Sequence, residues 1–120
     1  MEKFSIDNAP QFEKHYNEDS LWAKLKKYAA RWGEKLLYPA MMLYCMMKSP
    51  DVSFKDKTII AGALGYLILP LDAMPDFIPL FGIVDDISAL MLTLKTLNKN
   101  LTQEIRDEAR RETDRLLKHI

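Results

Sequence analysis

A chain of 120 residues with 48% apolar and 28% charged side chains holds one domain of ordinary globular character, large enough to form a core without staples. Its 17 basic and 17 acidic residues cancel, which excludes broad electrostatic binding to nucleic acid. The lone cysteine, Cys45, excludes an internal disulfide and points to a reducing, cytoplasmic setting.

Residues 1–19 are mixed and polar and lack the apolar run of a secretory signal. A short helix near Pro10–Tyr16 is the one element expected there. A single helical domain is expected over residues 20–120. Asp19 or Ser20 offers an N-cap, and Trp22, Leu25, Ala29, Trp32 and Leu36 follow at helical spacing. Lys24, Lys27, Arg31 and Lys35 line a neighbouring face. The plain reading of that face is a solvated basic side. The sharper reading is a surface, with Trp22 at its edge, that meets anionic lipid or an acidic protein partner.

The run Leu36–Met47 is apolar and carries four methionines, which are adaptable packing material. Pro39 either starts a helix there or kinks a continuing one. Cys45 reads as a small core residue rather than a nucleophile. Ser49-Pro50-Asp51 breaks the chain, and Ser53 can cap a helix expected over residues 54–69. From Thr58 that helix is apolar on every side, which marks it as central. Small residues at Ala61, Gly62 and Gly65 leave room for another element to approach closely, and Pro70 is expected to end the helix. The uncharged run from Thr58 to Leu71 is shorter than the roughly 20 residues of a membrane span. A membrane-embedded reading would have to bury Asp72 in lipid.

Ile87, Leu90, Met91, Leu94 and Leu97 predict an amphipathic helix, which ends in a turn at Asn98-Lys99-Asn100. Thr102 can cap a last helix with Ile105, Ala109, Leu116 and Leu117 on its apolar side. No strand-type alternation occurs. The expected fold is all-α, a compact bundle of four or five helices around the central one.

The segment 66–86, YLILPLDAMPDFIPLFGIVDD, joins the most apolar segment of the chain to a later amphipathic one and contains no Lys, Arg or His. Asp72, Asp76, Asp85 and Asp86 are its only strongly acidic groups, and buried unpaired charge is costly. Three solutions are open. The carboxylates can cap local amides, Asp72 and Asp76 in a proline-rich loop and Asp85 and Asp86 in a first helical turn after Gly82. They can pair with Lys24, Arg31 or Lys35. They can hold a hard cation, Mg²⁺ or Ca²⁺. No phosphate loop, CxxC, HExxH or arguable triad accompanies them, so no catalytic residue is assigned.

The ordered positions Tyr66, Pro70, Asp72, Pro75, Asp76, Phe77, Ile78, Pro79, Gly82, Asp85 and Asp86 resemble the signature of the YkvA-like family. Similar proteins commonly read Ser-Pro-Ile-Asp-Leu-Ile-Pro-Asp where this chain has Leu69-Pro70-Leu71-Asp72-Ala73-Met74-Pro75-Asp76. The resemblance implies a small helical bacterial domain of unknown function, often described as membrane-associated. It carries over no catalytic residue. The leading expectation is a non-enzymatic interaction or scaffold module that meets a protein partner or an anionic membrane surface, with no cofactor and no nucleic acid. The rivals are a carboxylate metal protein or enzyme built on the four aspartates, and a membrane-embedded protein.

Overall fold

The computed structural model describes residues 4–73 and 79–118, with the side chains at 31–32, 69–73 and 79–86 outside the description. The fold is all-α. Five helices, α1 Glu18–Trp32, α2 Glu34–Lys48, α3 Phe54–Ala73, α4 Pro79–Thr96 and α5 Gln103–Lys118, are accompanied by two 3₁₀ segments, Ala9–His15 and Asn98–Asn100.

Side-chain caps set several of the boundaries. The Asn17 carboxamide accepts from the Ser20 amide and opens α1. Ser53 Oγ accepts from the Asp56 amide at 3.2 Å, and Thr102 Oγ1 from the Ile105 amide at 3.2 Å, as the sequence predicts for α3 and α5. The first helix ends four residues earlier than its apolar spacing suggests. Gly33 takes φ +54° and ψ −139°, a conformation that side chains disfavour, and its amide closes α1 on the Ala29 carbonyl. The chain restarts at once, so Leu36 belongs to α2, and Pro39 lies inside that helix.

Two boundaries around the acidic segment differ from expectation. The central helix was expected over 54–69 but continues through Pro70 to Ala73. A proline so near a helix end removes a single bond, the one its amide would make to the Tyr66 carbonyl. The following helix begins at Pro79 rather than near Asp85, because a proline's fixed φ suits the first helical position.

The core lies between α2 and α3. Leu36, Leu37, Met41, Leu43 and Met46 of α2 and Ile60, Leu64 and Leu67 of α3 are fully buried. The first helix closes one side with Leu21 and Leu25, and α5 lies along α2 with Ile105 and Ala109 inward. The fourth helix packs on both α2 and α3. Asp56 ties the start of α3 to the turn before α5. Its buried carboxylate accepts from Asn100 Nδ2 at 2.9 Å, with Lys99 Nζ at 3.8 Å.

Residues 4–16, polar in composition, enter this core. Phe4, Ala9 and Phe12 are buried against α3, and the Phe4 and Phe12 rings lie 5.3 and 5.1 Å from the Tyr66 ring. The close approach that Gly62 and Gly65 predict is real, but the element that makes it is this segment.

Candidate functional site

The basic face of α1 is divided by the fold. Lys27 and Lys35 are exposed, as is Lys26 beside them. Lys24 is not part of that surface, because it is 2% exposed and its ammonium donates to the Leu67 carbonyl of α3. The cause is its register. Lys24 lies three residues after Leu21 and four before Tyr28, so it falls on the side of α1 that faces the core. That spacing is the signal that separates it from the other lysines. Arg31 lies outside the described side chains.

Trp22 is half-buried and meets the Tyr44 ring edge-on at 5.5 Å. The Tyr44 hydroxyl donates to Glu18, and Lys48 stands 4.7 Å over the same ring and 3.9 Å from the Glu18 carboxylate. The Tyr44 hydroxyl holds the Glu18 carboxyl below the usual carboxylate range. Burial pushes the Tyr44 phenol up, and pushes the neighbouring Tyr16 phenol up to about 12. These groups therefore stay in their ordinary charge states near neutrality. Their arrangement clasps the start of α1 to the end of α2 rather than poising a proton for transfer.

The helix boundaries change the account of the aspartates. Asp72 lies in the last turn of α3, where the free backbone groups are carbonyls and the dipole end is negative. Asp85 and Asp86 lie past the first turn of α4, beyond the free amides of its start. Asp76 and Pro75 lie outside the described residues, as do the side chains of Pro70, Asp72, Pro79, Gly82, Asp85 and Asp86. Cations must come from elsewhere in the chain or from solution, since none is encoded between Lys57 and Lys95. Lys24 is the one buried cation among the described residues. Among the described residues, no group of three metal-ligating side chains is assembled.

Two clefts lie among the described residues. One of about 510 Å³, between the end of α2 and the start of α5, is lined by Lys48, Asp51, Lys99, Glu104 and Glu108, whose charges are mixed in sign. Cys45 borders it, but burial pushes its thiol up to about 11, so it is a poor nucleophile. The other, of about 630 Å³, runs beside the start of α3 and is lined by Ile6, Pro10, Ile59, Leu97 and the exposed Phe54. Among the described residues, no helix is long and apolar enough to cross a membrane.

The architecture defines a small all-α protein whose acidic, proline-marked segment joins a buried helix to a more superficial one. Residues 56–92, which include all of that segment, match the family described as a protein of unknown function (DUF1232), in agreement with the YkvA-like signature. No curated protein and no solved structure matches the chain.

Proposed function

We propose that this chain is a non-enzymatic interaction module whose docking face is the outer side of α4. The observation that supports it is the exposure of Met91 and Leu92, at 51% and 42%, on a helix whose opposite side is already used. Ala89, Leu90, Thr93, Leu94 and Leu97 face the core, so Met91 and Leu92 project from its back. Fully burying a side chain of this size from full exposure gains about 1.5–3 kcal/mol, of which a partner can recover roughly half for these half-exposed residues. Ser88, Lys95 and Thr96 are the exposed neighbours, a polar rim to an apolar centre. The single reduced cysteine supports a cytoplasmic setting for the partner.

A peripheral membrane site is the second form of this reading, and the exposed Lys26, Lys27 and Lys35 favour it. Co-sedimentation with phosphatidylserine-containing and pure phosphatidylcholine vesicles separates the two forms. Recruitment to the anionic vesicles, lost in Leu92→Glu, supports the lipid surface. Equal partition to both vesicle types, or none, rejects it and leaves a protein as the partner.

A further inference from the structure

The outer side of α4 continues into the cleft beside the start of α3. Leu92 lies one helical turn before Thr96 on the same side of the helix, and Thr96 lines that cleft of about 630 Å³. Phe54 lines it from α3 and is 85% exposed, more than any other large apolar side chain among the described residues. Buried Ile59 and Leu97 lie within it. Its two threonines add little polarity. The Thr96 hydroxyl donates to the Leu92 carbonyl at 2.9 Å, and the Thr58 hydroxyl to the Phe54 carbonyl at 3.0 Å, so both are spent on their own helices. Leu92 and Phe54 thus belong to one apolar trough rather than to separate exposed spots.

The charges around the trough are mostly of one sign. Lys55, Lys95 and Lys99 are exposed, and Lys55 and Lys95 have no ion-pair partner among the described residues. Of the two acids that line the cleft, Asp56 is buried and held by Asn100 and Lys99, which leaves Asp7 as the exposed one to oppose the lysines. A partner that covers the trough must therefore bring carboxylates to its rim. A second copy of this chain set face to face would place lysines against lysines. A flat lipid surface would meet the lysines but leave the concavity unfilled. Among the described residues there is no strand edge for a partner to extend, which leaves a helix laid in the groove as the mode of recognition.

We infer that this trough is the groove for an acidic amphipathic helix. The apolar stripe of that helix lies along Leu92 and enters the cleft beside Phe54, and its flanking Asp or Glu side chains meet Lys55, Lys95 and Lys99. The apolar contact supplies the affinity, while the lysines select the sign of the partner and make binding weaken as salt is added. The inference rests on the reading of α4 as a docking face and specifies what docks there.

The test selects binders to the full chain from a displayed library of helical peptides. Leucine and tryptophan are fixed along one face, and Glu, Gln and Lys vary at the flanking positions. Selection is expected to enrich Glu there. The enriched peptides, labelled with fluorescein, are expected to bind at least about 10-fold more weakly to Phe54→Ala and to Leu92→Glu. Lys55→Glu combined with Lys95→Glu is expected to turn the preference to lysine-flanked peptides. All four positions are exposed, and an unchanged urea midpoint checks that each variant keeps its fold. Peptides that need Leu92 but are indifferent to Phe54 and to flanking charge would overturn this inference and leave the α4 face standing. Peptides indifferent to Leu92 would overturn both. A library that yields no binder would overturn the helix partner, and recruitment to phosphatidylserine vesicles that is lost in Phe54→Ala would then assign the trough to lipid.

Discussion

The Lys24 ammonium crosses from α1 to donate to the Leu67 carbonyl of α3, one position beyond the carbonyl that Pro70 leaves without its helical amide. A buried cation is thus placed where the central helix enters the acidic segment. Replacing Lys24 by Met keeps much of the apolar stem and removes the charged donor that supplements the helical bond of the Leu67 carbonyl. The expected cost is about 1–3 kcal/mol by urea denaturation. Lys27→Met, at an exposed position, is expected to stay within about 0.5 kcal/mol.

No Lys, Arg or His is encoded between Lys57 and Lys95 to pair locally with the four aspartates. If Lys24 balances Asp72, the two substitutions Lys24→Met and Asp72→Asn are not additive. A double-mutant cycle is expected to return a coupling above about 1 kcal/mol. Additive effects would assign the balancing charge elsewhere. On the same account, millimolar Mg²⁺ or Ca²⁺ leaves the melting temperature unchanged, whereas an ion held only by the folded state would raise it.

Thr113 is fully buried on α5, and its hydroxyl has no hydrogen-bond partner among the described residues. Thr113→Val replaces that hydroxyl with a methyl of similar size. Removing an unsatisfied buried polar group is expected to stabilise the chain by about 1 kcal/mol, read as a higher urea midpoint at unchanged slope.

Stability is expected to fall at both ends of the pH range, and the groups responsible lie around Tyr44. The folded Glu18 carboxyl titrates below its ordinary value of 4.5, so its contribution is complete above that pH. It is lost as pH falls through the folded value, and Glu18→Gln removes this acid slope. Tyr16 behaves in the opposite sense, since burial raises it from 10.0 to about 12. Its contribution is complete below pH 10 and is lost as pH rises toward 12, so Tyr16→Phe is expected to flatten the alkaline limb. Denaturation midpoints measured across both limbs check the two signs.

Much of the fold is legible in the sequence where a local signal and the tertiary structure agree. Ser53 and Thr102 cap where their positions predict, and the all-apolar helix from Thr58 is central. Legibility fails where a residue's role depends on something distant in the chain. Pro70 reads as a stop, yet the helix outruns it by three residues, with a lysine from α1 meeting the adjoining turn. Gly62 and Gly65 announce a close approach but do not name what approaches. Phe4, Ala9 and Phe12 are too sparse among polar neighbours to read as its source. The basic stripe of α1 hides the difference between Lys24 and Lys27, which only the register against Leu21 and Tyr28 exposes. For the candidate site, the aspartates are visible by composition, while the outer face of α4 is not. Met91 is on the same sequence repeat as Leu90 and Leu94, and only packing on α2 and α3 separates the buried residues from the exposed ones.

Site-specific photo-crosslinking in the cells that make this protein tests the central claim most directly. A photoreactive residue at position 92, on the outer side of α4, is compared with one at position 104, exposed on α5. The interaction-module account predicts a discrete adduct from position 92, to one protein or to lipid, that is absent from position 104. No adduct from position 92, or the same adducts from both positions, would contradict it.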